Sequence, residues 1–191
     1  MKYNPPIPPY PLYEMSKDEA RQFFDWFQNQ IPYRCEQLLR VVKSSKGFSS
    51  WKNDLSRESL VPLAHWFADN VKLRKKTQSE VDEIYNSAPD WFRHVEVDDW
   101  TLTDRTYSYA FDLGIYFGEA LKYSIGNVEW ILKTNSPTSV DYHLPILRQE
   151  GPLDCCPYHL MKVYAFSIAR GSKGPEHFPV LFDIWYKTLT G

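Results

Sequence analysis

Asp112 and Glu119 stand seven residues apart in Asp112-Leu-Gly-Ile-Tyr-Phe-Gly-Glu119. On a helix that spacing is two turns, which puts both carboxylates on one side. Such a pair suits acid/base work or a metal clamp. Metal ligation on a helix normally recruits a His three or four residues from the carboxylate, and the segment has none. The structural alternative is that Glu119 ties the helix to a following strand or loop, because a buried carboxylate without a partner is too costly. Cys155-Cys156-Pro157-Tyr158-His159 is the second place where chemistry is conceivable. A thiolate at a helix N-terminus is stabilised by the dipole, and His159 or His143 would serve as its base. The opposing argument is that cysteine is among the most buried residue types, and two neighbours cannot share one activated position. Adjacent cysteines also lack the spacer that lets two thiolates reach one zinc ion.

Gly114 and Gly118 lie between the two carboxylates. Each Gly costs a helix roughly 1 kcal/mol against Ala, so close backbone approach must make the pair worthwhile. The segment reads as an amphipathic helix. Ala110, Leu113, Gly114, Phe117 and Leu121 form a core-like face, beside a polar stripe of Arg105, Tyr109, Asp112, Tyr116, Glu119 and Tyr123. Asp112, Tyr116 and Glu119 are the candidate residues of that stripe. It is a packing signature more than a reactive centre. His65, His94 and His177 have no partner at metal spacing, and Gly171-Ser-Lys-Gly174 lacks the strand and the ending of a phosphate loop. No metal and no cofactor are expected.

The elements around these residues follow from caps and periodicity. Residues 1–15 hold five prolines and read as an extended arm anchored by Tyr3, Ile7, Tyr10, Leu12 and Tyr13. Residues 16–191 read as one domain, helical over 16–103, with a long helix, small sheet and C-terminal helices over 104–191. Ser16-x-x-Glu19 is a capping box opening a helix to about Gln30, and Pro32 starts a second helix to about Lys43. A third helix spans about 57–70 after Ser56. A fourth follows the Thr77-x-x-Glu80 box and stops before Pro89. Residues 90–103 have no helical period and leave room for one short strand. The longest helix runs from Thr103 or Asp104 to about Ile125, with Gly126 as its cap. Strands fall at Glu129–Thr134 and within Val140–Leu147, helices at Pro157 to Arg170 and about 179–189. The fold class is α+β, mainly helical, with a small and antiparallel sheet in the C-terminal half.

Composition narrows the function further. A net charge of −2 gives no basic face for nucleic acid. Three cysteines, two of them adjacent, fit a reducing compartment, and no apolar run approaches membrane-spanning length, so a cytoplasmic protein is expected. Charge is uneven along the chain. From Glu80 to Asp104 eight acids face Arg93 alone, whereas Arg34 to Lys76 holds ten basic residues against four acids. If the segments face apart, the molecule is a dipole able to steer a partner; if they face each other, the charges cancel locally. The acidic segment carries Trp91, Asp98, Asp99 and Trp100, and aromatic anchors inside a charged rim make binding hot spots.

Tyr13-Glu-Met-Ser-Lys-Asp-Glu-Ala-Arg-Gln-Phe-Phe-Asp-Trp-Phe27, Ile31-Pro-Tyr-Arg34, Gly114-x-Tyr-x-Gly-Glu119, Trp130, Leu144-Pro145, Pro157 and Gly171 together span most of the chain. In these motifs the sequence resembles uncharacterised cytosolic proteins of Gram-positive bacteria, domains of unknown function. Some of those relatives are encoded near contact-dependent toxins and their immunity genes. The resemblance implies an α+β fold and a protective binding role, and transfers no catalytic residue. The expected function is a non-catalytic protein-binding module, an immunity-type protein facing a basic target surface. The alternatives are a small hydrolase or transferase using Asp112, Glu119 or Cys156 in a cleft, and a structural subunit of a homo-oligomer.

Overall fold

A computed structural model describes residues 15–149 and 153–191, so the expected proline-rich arm lies outside the described residues. Six helices, α1 (Lys17–Ser44), α2 (Leu60–Asn70), α3 (Gln78–Ser87), α4 (Asp104–Ile125), α5 (Pro157–Ala169) and α6 (His177–Thr190), carry most of the described chain. Two antiparallel two-stranded sheets complete it: β1 (Leu73–Lys75) with β2 (Trp100–Leu102), and β3 (Glu129–Leu132) with β4 (Pro145–Arg148). The mainly helical α+β class holds, with β3–β4 in the C-terminal half as expected. Within residues 16–103, β2 occupies the room left for one short strand, and β1, its partner, is an addition.

Both capping boxes form, Ser16 with Glu19 on α1 and Thr77 with Glu80 on α3. Ser56 caps the turn ahead of α2, its Oγ accepting from the Ser59 N–H at 3.1 Å. Pro32 does not divide α1, which runs unbroken for 28 residues and is therefore longer than the 22-residue α4. The reason is positional. Pro32 removes only the bond to the Gln28 carbonyl, and both residues are exposed, so water serves that oxygen.

The centre of the molecule is α4. It starts on the Thr103 side chain and ends at Gly126, whose φ of 92° demands glycine. The middle of the polar stripe is enclosed, with Tyr109, Asp112 and Tyr116 as buried as Leu113 and Phe117 on the other face, while Arg105 and Tyr123 at its ends are exposed. The helix packs against α1, α2, α5 and α6, with Trp130 of β3 at its side, rather than lying amphipathically on a surface. Its two glycines admit two different neighbours. A Cβ on Gly114 would lie 3.0 Å from the backbone of Pro157 and Tyr158 at the start of α5, and one on Gly118 would lie 2.2 Å from Trp130 Cζ2. Trp130 packs edge-on to Phe27 of α1, with ring centroids 5.0 Å apart, so one indole joins α1, α4 and β3.

The region between α2 and α4 differs in kind. From Val71 to Trp100 none of the described side chains is buried. Here α3 carries Val81, Ile84 and Tyr85 at helical spacing, and a 3-10 helix, Asp90–His94, follows it. The Tyr85 ring lies tilted against Phe92 at 6.3 Å, and its hydroxyl donates to the Val95 carbonyl at 3.0 Å. At the base, β1 runs antiparallel to β2 and sets Arg74 opposite Thr101 and Lys75 opposite Trp100.

Electrostatics, not burial, secures the start of α3. Arg74 grips Glu80 with two bonds of 2.8 and 2.6 Å. That guanidinium, followed by the Thr77 backbone N–H, lowers the Glu80 carboxyl from 4.5 to about 2. Because the folded value is the depressed one, the unfolded chain takes up the proton first as pH falls. The stabilisation is complete above about 4.5 and is lost as pH drops through about 2. Hydrogen exchange on an acid series is expected to show α3 amides losing protection ahead of α4 amides in that window. Glu80→Gln should show the low α3 protection already at neutral pH, and equal, unchanged protection in both proteins would refute the linkage.

Candidate functional site

The structure does not assemble Asp112 and Glu119 into one centre. Asp112, fully enclosed, is held by Arg34 of α1, whose Nε donates to Oδ1 at 2.7 Å and Nη2 to Oδ2 at 2.6 Å. Glu119 accepts from the Trp130 indole N–H at 2.6 Å and lies 3.5 Å from the Lys122 ammonium. It therefore ties α4 to β3. Tyr116 points to a third place, where its hydroxyl accepts the Leu55 N–H at 3.1 Å and sits 2.7 Å from Ser59 Oγ. Ser59 of this network also lines a recess of about 250 Å³, together with Ser50, Lys52, Asp54, Ser56 and Glu58, among others. A second, apolar cavity lies among Phe23, Phe27, Phe111, Trp130, Leu144 and Tyr158. Asp112 and Glu119 line neither.

The thiols are set for packing. Burial is the first cause raising Cys155 and Cys156 well above an ordinary thiol, and it pushes Cys35 up to about 12 with help from the nearby Glu119 and Asp112 charges. A nucleophilic cysteine requires the opposite shift. Cys156 does occupy the cap position of α5, but its sulfur faces the Pro145 carbonyl at 3.8 Å. His159 is engaged through Nδ1 with Asp141 at 2.9 Å. His143 is 2% exposed, and neither of its ring nitrogens has a hydrogen-bond partner among the described residues. It also holds a positive φ of 65° in the turn before β4, donates its backbone N–H to the Lys133 carbonyl at 2.8 Å and stacks on Tyr142 at 3.8 Å. Among the described residues no group of three His, Cys, Asp or Glu side chains is placed to hold a metal ion.

The four candidates for partner binding lie together on the Val71–Trp100 excursion, in distinct states. Trp91 is 69% exposed and rests edge-on against Phe92 at 5.8 Å. Asp99 is exposed, 3.9 Å from the Lys75 ammonium. Asp98 bonds Arg170 at 2.8 Å, and the Arg170 guanidinium also covers the Trp100 ring at 5.3 Å. Trp100 is half-buried against Phe166 at 6.0 Å. The basic run Arg74-Lys75-Lys76 and the acidic Asp98-Asp99 therefore face each other across β1–β2, with the Lys76 ammonium on the Asp98 carbonyl. Around this base the charge cancels. Elsewhere in the excursion the acids Asp82, Glu83, Asp90 and Glu96 are exposed, as are Trp91 and Val95.

Sequence reasoning did not foresee Arg34 as the partner of Asp112 or Arg170 as the partner of Asp98, which lie 78 and 72 residues away along the chain. No local signal pairs residues at such separations. Compared with protein-family models, with curated proteins and with solved structures, the chain finds no match in any of the three. No helix among the described residues is long and apolar enough to cross a membrane.

Proposed function

We propose that this protein is a non-catalytic protein-binding module, of the immunity type that neutralises a toxin by occupying it. Its docking face is the Val71–Trp100 excursion, and its partner presents an apolar pocket within a basic surface. The observation that carries this reading is Trp91, 69% exposed in a segment without one buried described side chain and flanked along the chain by the exposed carboxylates Asp90 and Glu96. A large exposed aromatic ring is a poor contributor to folding and a strong anchor on binding. The acids around it would speed encounter with a cationic partner and make the association salt-dependent. The engagement of Asp112 and Glu119 by their neighbours, and the raised thiols, favour this reading over hydrolase or transferase chemistry.

The test is calorimetry against basic toxin-domain candidates encoded beside the gene. Trp91→Ala is expected to weaken a captured partner by at least about 30-fold, the scale of a hot-spot residue. Raising salt from about 0.05 to 0.5 M should weaken it further, chiefly through the association rate. A partner bound equally well by Trp91→Ala, or failure to bind any such candidate, would reject this docking face.

A further inference from the structure

The excursion is fastened to the body of the protein at Arg170, and that fastening is also a recognition geometry. Arg170 closes α5, with its own N–H bonded to the Phe166 carbonyl, and its guanidinium reaches across to β2. There it meets a ring face at 5.3 Å from Trp100 and a carboxylate at 2.8 Å from Asp98. Phe166 backs the Trp100 ring at 6.0 Å, and Tyr107 backs Phe166 at 6.3 Å. A flat aromatic wall with a carboxylate at its edge selects guanidinium over ammonium, because the planar cation stacks and bonds at once.

The grip is incomplete. Arg34 on Asp112, Arg57 on Asp183, Arg74 on Glu80 and Arg148 on Asp154 each place two nitrogens on two carboxylate oxygens. Arg170 reaches Asp98 with Nη2 alone, leaving Asp98 Oδ1 without a bond among the described residues. Both side chains are about half exposed, 57% and 50%, so water competes for the contact and it breaks readily. A guanidinium arriving from outside is not tethered to α5 and can bond both oxygens, the stronger geometry.

We propose that Trp100 and Asp98 form an arginine-binding slot, filled by Arg170 in the free protein and taken over by an arginine of the partner on docking. This rests on the docking face assigned above for its biological setting. The slot itself is tested without a partner.

The experiment is NMR titration of the whole protein, following the Trp100 indole N–H, with acetyl-arginine methylamide and acetyl-lysine methylamide as probes. Arg170→Ala is expected to bind the arginine probe at least about fivefold more tightly than the native protein, and the lysine probe more weakly than the arginine one. Arg170→Gln, which keeps a polar residue at the end of α5, serves if the alanine variant loosens the helix. Adding Trp100→Leu or Asp98→Asn to either variant should abolish the gain. Lys173→Ala removes the same charge nearby and should behave as native, which separates slot opening from a general loss of positive charge. Equal binding in native and Arg170 variants, an equal gain in Lys173→Ala, or a gain that survives Asp98→Asn would overturn the slot. Failure of the titration while Trp91 still controls partner affinity rejects the slot alone. A working slot with partner affinity indifferent to Trp91 rejects the docking face alone.

Discussion

Asp112→Ala is expected to cost about 3–5 kcal/mol of folding stability, the largest effect of any single change at the candidate residues. The carboxylate is completely enclosed and the Arg34 guanidinium is 2% exposed. Removing Asp112 leaves that guanidinium charged and inside, because arginine does not release its proton at any accessible pH. Removing both charges is a smaller perturbation than removing one, since a hydrophobic pair of similar volume satisfies the same space without stranded charge. The double variant Arg34→Met/Asp112→Leu should therefore recover most of the loss. Urea denaturation of the native protein, Asp112→Ala and the double variant reads this directly as a thermodynamic cycle. A domain holds only about 5–15 kcal/mol in total, so the single variant would be marginal at 37 °C. A loss below about 1 kcal/mol would show that the pair is not enclosed as described. The outcome also bears on chemistry: a carboxylate whose removal unfolds the protein is a structural strut, and Cys35, packed near enough to feel both Asp112 and Glu119, shares that dry environment.

What could be read from the sequence was local. Ser16 with Glu19 and Thr77 with Glu80 are three residues apart and satisfy one another through the backbone, so the sequence pattern and the bond are nearly the same object. Gly126 and the stop before Pro89 are legible for the same reason. Pro32 misled because a proline marks a helix boundary only where its missing bond matters, and on the exposed side of α1 it does not. The identity of the neighbours was not legible. Asp112, Tyr116 and Glu119 do share a side of α4, yet they bond to α1, to the loop before α2 and to β3 respectively. Periodicity reports which residues are together on a helix and is silent about what surrounds it, so the separate partners of the stripe could not be named from its spacing. The three-residue β1 was invisible because Leu-Arg-Lys carries neither alternation nor β-branched residues. Trp91 stood out, and its exposure is the part of the candidate docking face that composition suggested and packing accounts for.

Gly118→Ala should destabilise the protein by about 2–3 kcal/mol, even though alanine is the better helix former by about 1 kcal/mol. The added methyl would sit 2.2 Å from Trp130 Cζ2 and 2.5 Å from Cη2, distances that no side-chain adjustment within the helix relieves. The indole has nowhere to go. Its nitrogen is bonded to Glu119 at 2.6 Å and its ring packs edge-on to Phe27 at 5.0 Å. Relief therefore requires the β3–β4 hairpin to move away from α4, which opens the apolar cavity beside Phe27 and Phe111. The melting temperature of a chain this size should fall by roughly 5–10 °C. Trp130→Leu alone should also destabilise, through the lost ring and the Glu119 oxygen left without its donor. The combination Gly118→Ala/Trp130→Leu should cost less than the sum of the two, because the smaller side chain makes room for the methyl. Calorimetric unfolding of the four proteins measures that coupling. Strict additivity would mean that the glycine and the indole do not meet, and that α4 carries Gly118 for a reason unconnected with the hairpin.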